Sequence, residues 1–153
     1  ASGSSPITSA LKEGIDWIKP QKPKTVAKSL AIGNPADGHY ALKTIRESGG
    51  WGEDVTDEEV IEGMKLLAQT EGIFTETAGG VTVGVTKKLI EQGVIPKNES
   101  ILISITGNGL KTQEAIQDRV GHPVIIDARL SEVKNIFELK HKETGSEIQA
   151  TIG

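Results

Sequence analysis

The residues best suited to chemistry lie together between Ser100 and Thr112, in the run Ser-Ile-Leu-Ile-Ser-Ile-Thr-Gly-Asn-Gly-Leu-Lys-Thr. Thr106 and Asn108 bring a hydroxyl and an amide, which donate and accept hydrogen bonds without carrying charge, and Gly107 and Gly109 leave the backbone beside them unhindered. They follow the apolar run Ile101, Leu102, Ile103 and Ile105, broken only by Ser104, which reads as a strand buried on both faces in the centre of a parallel sheet. Open α/β sheets hold ligands outside the carboxyl ends of their strands, so Thr106, Gly107, Asn108 and Gly109 are predicted to form a ligand-contacting edge. The same glycines would equally serve a tight strand-to-loop turn.

Several other chemistries find no support. The absence of cysteine excludes disulfides, thiolate metal sites and cysteine nucleophiles. His39, His122 and His141 fall at a predicted helix start, a strand start and a polar hairpin, and none neighbours a Gly-x-Ser-x-Gly pattern. The acidic run Asp57-Glu58-Glu59 reads as a favourable first helical turn rather than a metal site. Gly107-Asn108-Gly109 fails the dinucleotide fingerprint, because Thr112 stands where a third glycine is needed, and no Walker pattern occurs.

The elements that must position Thr106 are read from a chain of 153 residues, enough for one α/β domain with a substantial core. Its 21 acidic and 17 basic residues are interspersed, with a net charge of −4, so no basic face awaits nucleic acid. No run approaches the length needed to span a bilayer and residues 1–20 lack a secretory pattern, so no membrane partner and a cytoplasmic location are expected. Asn98-Glu99-Ser100 matches a glycosylation acceptor, taken as coincidence in a chain without an export signal.

Residues 1–28 read as a connecting segment, with an amphipathic piece around Ile7 to Ile18 and prolines at 20 and 23, and such an opening suggests a truncated chain. The turn cluster Gly33-Asn34-Pro35-Ala36-Asp37-Gly38 precedes a helix capped by Asp37 and ended by Gly49-Gly50. Thr56-Asp57-Glu58-Glu59 is a capping box opening a helix with Val60, Ile61, Met64, Leu67 and Ala68 on one side, stopped at Gly72. Ile73-Phe74-Thr75 is predicted as a short strand, followed by a helix from about Ala78 to Glu91. A polar helical piece runs to about Arg119, His122 to Asp127 is predicted as a strand, and Asn135–Lys140 and Glu147–Ile152 as strands of a hairpin through Lys142–Gly145. The alternation of helix and strand predicts an α/β, parallel-sheet layered fold with a C-terminal hairpin.

Three stretches taken in order, Ser29–Leu42 with its Ile-Gly-Asn-Pro-Ala-Asp-Gly, Glu71-Gly-Ile-Phe-Thr-Glu-Thr-Ala78, and Ile105-Thr-Gly-Asn-Gly-Leu-Lys111, resemble the C-terminal half of the threonine synthase family. Glu47-Ser-Gly-Gly50 and Val55-Thr-Asp-Glu-Glu59 fit the same family, and the resemblance covers about residues 3–130. It implies pyridoxal phosphate as cofactor, a lyase converting O-phosphohomoserine and water to threonine and phosphate, a tryptophan synthase β-like large domain to which residues 29–130 belong, and a homo-oligomer.

The resemblance further implies that the Thr106 hydroxyl meets the pyridine nitrogen, with Gly107 and Asn108 beside the ring. Gly33 and Asn34 would approach the floor of the site, and Glu76 would lie near the cofactor. Plain alternatives are a helix entry at Asn34-Pro35 and a cap-making or solvated carboxylate at Glu76. Lys111 reads as a surface charge.

The family's Schiff-base lysine segment and the glycine-asparagine loop for the cofactor phosphate are not found in the sequence, so the implied partner is an N-terminal half and the fragment is expected to be inactive alone. Ala31 stands where many relatives carry arginine, Thr77 and Gly79-Gly80 depart from the usual run, and residues 131–153 read as an extension. The alternatives are a threonine or serine dehydratase-like fragment and a non-catalytic binding module.

Overall fold

A computed structural model describes residues 1–121 and 124–144, with side chains through Glu138. Helix α1 (Pro6–Glu13) begins with proline at its first turn, where a missing N–H leaves no bond unmade, and ends at Gly14 in the left-handed conformation (φ 68°). Helix α2 (Gly38–Glu47) starts after Asp37, whose side chain makes no capping bond. Helix α3 (Asp57–Glu71) has the predicted capping box: the Glu59 N–H donates to Thr56 Oγ1 (3.2 Å) and the Thr56 N–H donates to Glu59 Oε2 (2.6 Å). It ends at Gly72 with φ 67°, a conformation that favours glycine. Helix α4 (Thr77–Glu91) matches the helix predicted from Ala78 to Glu91.

α3 and α4 pack on each other and build the core of the unit Ala1–Val120. Val60, Ile61 and Met64 of α3 are buried together with Val55 and Ile116, with Val81 and Val85 of α4 against them. The crossing is close because both helices present glycine: a Cβ at Gly63 would sit 2.4 Å from the Gly80 carbonyl oxygen. The helix termini at Asp57 and Thr77 are thereby held by one packed interface, and the second of these termini belongs to the site below.

The predicted polar helical piece is realised as a 3-10 turn over Gly109–Ala115 followed by α5 (Gln117–Val120). A second unit begins at Gly121 and contains α6 (Leu130–Thr144).

The sheet is a correction. The described residues hold no strand, and the parallel-sheet α/β fold predicted from the alternation of segments is replaced by a helical arrangement. Residues 101–105 are irregular rather than a central strand, with Leu102 95% exposed. A ladder needs a neighbouring backbone to accept and donate its bonds, and among the described residues none pairs with this run. Ile73-Phe74-Thr75 supplies only one isolated antiparallel bridge, Thr75 to Asn108. Residues 124–127 of the predicted His122–Asp127 strand have no regular structure, His122 itself lying outside the described residues.

The predicted C-terminal hairpin is also overturned where it can be seen. Asn135–Lys140 and the turn residues Lys142–Thr144 lie inside α6, while Gly145 and Glu147–Ile152 lie outside the described residues. The short alternation read there as period two also accommodates a helix, since Leu130, Val133 and Phe137 recur at spacings of three and four.

Candidate functional site

The segment Phe74–Thr77 leading into α4 and the segment Thr106–Thr112 are stitched together by four hydrogen bonds that involve the backbone. Thr75 pairs with Asn108 across the isolated bridge, where the Glu76 N–H donates to the Gly107 carbonyl (3.0 Å) and the Gly109 N–H donates to the Phe74 carbonyl (2.9 Å). The buried Thr75 hydroxyl donates to the same Gly107 carbonyl (3.2 Å), and the Thr77 N–H donates to Thr112 Oγ1 (3.2 Å). This last bond satisfies one of the amides that the first turn of α4 leaves open.

Both glycines of the predicted edge are required by close approach. A Cβ at Gly107 would stand 2.1 Å from Glu76 Oε1, and one at Gly109 would stand 2.5 Å from the Phe74 ring. Gly107 thus lies flat on the Glu76 carboxylate, and Gly109 lies on the aromatic face beneath it. The Asn108 side chain turns back on its own segment, its Oδ1 accepting the Leu110 N–H (2.9 Å) and capping the 3-10 turn.

Glu76 is the charged centre of this arrangement. It occupies the N-cap position of α4 with extended backbone (φ −68°, ψ 170°), yet its side chain caps nothing, so the cap-making alternative falls away. The carboxylate, only 6% exposed, has Oε2 3.2 Å from the Lys111 ammonium. Its Oε1 accepts from the Thr106 hydroxyl at 3.5 Å, the outer limit of such a bond. Thr106 itself is exposed.

Four of the six residues singled out in the sequence, Thr106, Gly107, Asn108 and Glu76, are therefore neighbours. Gly33 and Asn34 make other connections: the Gly33 carbonyl accepts the Gln21 N–H (2.9 Å), and a Cβ at Gly33 would stand 1.8 Å from the Gln21 carbonyl oxygen. That turn is fastened to the proline-bracketed segment 20–23, and Asn34 is exposed. Lys111 is read from the sequence as a surface charge, and what that reading misses is its partner. Its exposure agrees with a surface charge, but its partner is a buried carboxylate 35 positions away, and no local pattern announces such a pair.

The cluster offers an exposed neutral hydroxyl, a side-chain-free rim and a compensated buried charge, an arrangement suited to orienting a polar ring edge. Among the described residues no group of His, Asp and Glu could hold a metal ion, and no helix is long and apolar enough to cross a membrane. Every lysine with a described side chain is exposed or half-exposed.

The chain is 41% identical over 143 residues to the threonine synthase of Methanosarcina acetivorans, covering 93% of this chain and 35% of that protein. It is 40% identical over 139 residues to the threonine synthase of Methanocaldococcus jannaschii, covering 90% and 34%. Against that of Halalkalibacterium halodurans it is 42% identical over 91 residues, covering 60% and 26%. The chain thus spans about a third of the length of the first two relatives. Residues 1–107 match the pattern of the family described as pyridoxal-phosphate dependent enzymes, which includes the whole of α1 to α4 together with Thr106 and Gly107 of the rim, and the chain belongs to that family.

Proposed function

We propose that this chain is a portion of a cytoplasmic, homo-oligomeric threonine synthase, the lyase that converts O-phospho-L-homoserine and water to L-threonine and phosphate, and that residues 29–130 contribute the wall facing the ring nitrogen of pyridoxal phosphate. The observation that carries the reading is the geometry at Thr106. The exposed Thr106 hydroxyl gives its proton to Glu76 only across 3.5 Å, a contact weak enough for an unprotonated pyridine nitrogen to draw that proton outward. The residues present fit that end of the cofactor: Gly107 carries no side chain that would stand between ring and rim, and Glu76 is turned inward to Lys111.

When bound, pyridoxal phosphate supplies an electron sink for charge developing on the substrate. The part of this chain is to bind and orient. Thr106 donates to the ring nitrogen, Gly107 and Asn108 edge the ring, and the Phe74–Thr77 segment fixes the rim from behind. The resemblance, rather than any feature of the described residues, assigns the covalent lysine and the phosphate cup to an N-terminal half, and Gly33 and Asn34 are given to the approach rather than to the rim.

Two measurements test the reading. The enzyme that carries this chain turns phosphohomoserine into threonine and phosphate, and Thr106→Val lowers kcat/KM about tenfold, the worth of one hydrogen bond of ~1.4 kcal/mol. Residues 1–153 alone, mixed with pyridoxal phosphate and reduced with borohydride, yield no pyridoxyl-lysine by mass spectrometry. Dehydration of threonine in place of phosphohomoserine turnover, or a stable lysine adduct that supports turnover by the chain alone, overturns it.

A further inference from the structure

Lys111 does more than neutralise a charge. Its side chain is 64% exposed, yet its ammonium lies 3.2 Å from a carboxylate that is 6% exposed. A carboxylate taken out of water is strongly unfavourable unless a counter-charge or hydrogen bonds replace its hydration. Glu76 makes no side-chain capping bond at α4, and among the described residues Lys111 and the Thr106 hydroxyl are the partners of its two oxygens.

Those two partners compete for the same charge. A threonine hydroxyl has a single proton. When that proton is given to Glu76 Oε1, the hydroxyl oxygen turns a lone pair outward and suits a protonated ring nitrogen. When it is given outward, the hydroxyl suits an unprotonated one. The stronger the uncompensated negative charge on Glu76, the more firmly it draws the proton inward. The carboxylate cannot evade the choice by moving toward the rim, because the Gly107 backbone lies against it, leaving no room even for a Cβ.

We propose that Lys111, acting through Glu76, is a positioning residue that releases the Thr106 proton to face the cofactor's ring nitrogen. The inference rests on the Thr106 contact proposed above. It makes Lys111 a determinant of the protonation state of the ring without touching the ring itself.

The test is the ¹⁵N chemical shift of the ring nitrogen in holoenzyme reconstituted with cofactor labelled at that atom. Lys111→Met moves the signal toward the pyridinium position, because unneutralised Glu76 takes the Thr106 proton. Lys111→Arg keeps the parent position, and the double variant Lys111→Met, Glu76→Gln returns toward it, because a neutral amide oxygen accepts the proton far more weakly than an unneutralised carboxylate. Lys111→Gln carries the same expectation as Lys111→Met and replaces it where that variant does not fold. Thr106→Val separates the two layers of argument. If Thr106→Val leaves the signal unmoved, the ring-nitrogen contact itself is wrong. If Thr106→Val shifts the signal while Lys111→Met and Lys111→Gln do not, only the role of Lys111 is overturned. A shift in Lys111→Met that Glu76→Gln fails to reverse also overturns it, since the effect then does not pass through Glu76.

Discussion

A single methyl at Gly107 would contest the space of the Glu76 carboxylate, since its Cβ would fall 2.1 Å from Oε1 and 2.2 Å from Cδ. Glu76 is short of alternatives, with Gly107 on one side and the Lys111 pair on another. Gly107→Ala is therefore expected to displace the carboxylate from Lys111 and to lower stability by about 1–3 kcal/mol, the usual cost of overpacking. Urea unfolding of the two proteins measures it, and an unchanged midpoint would show that the carboxylate relocates freely. At this scale the grouping of these residues, though not their role, was legible in the sequence. A hydroxyl, an amide and two glycines after an apolar run are unusual enough to mark Thr106 to Gly109, and the resemblance added Glu76. Lys111 and the true neighbours of Gly33 were not legible, because both depend on segments that meet only in the folded chain, Lys111 with Glu76 and Gly33 with Gln21.

The elements were most readable where their signals are local. Thr56 and Glu59 cap α3 from within one turn, and Gly72 ends it by its own backbone angle, so three or four residues contain the whole message. The strands were misread because an apolar run states only that a segment is sticky, whereas a ladder also needs a partner backbone that sequence periodicity does not specify. Between elements, charge ties α1 to the entry of α3. Lys12 pairs with Glu53 and with Asp54. The hydrogen bond from Lys12 holds the Glu53 carboxyl below its ordinary value of 4.5, and the bond to Glu53 raises Lys12 above its ordinary 10.5. A lowered carboxyl stabilises the fold above its unfolded value and loses that contribution as pH falls through the folded one. A raised ammonium stabilises it below 10.5 and loses that contribution as pH rises through its folded value. The tie is consequently worth most between those limits. In Lys12→Met the difference in melting temperature from the parent should shrink as pH falls below 4.5, and a difference independent of pH would mean that the pair does not carry it.

Within the unit Ala1–Val120, the apolar run before the rim leaves large side chains in solvent. Leu102 is 95% and Ile101 41% exposed, on backbone that forms no ladder. Unpaired backbone with exposed apolar side chains is a template for association. The chain of 153 residues is expected to self-associate with rising concentration, and Leu102→Lys to shift sedimentation velocity profiles toward the monomer. Indistinguishable profiles would place the association elsewhere. The stitches at Glu76, Thr77 and Gly109 have a different consequence for the same region. They fix the rim at its two ends, whereas residues 96–102 between α4 and the rim are exposed throughout. Lengthening a flexible connection is inexpensive, about 0.6 kcal/mol for each doubling. The span after Lys97 is thus a natural graft point, where a fluorophore-bearing peptide could be spliced in to report on events at Thr106 while the rim stays closed.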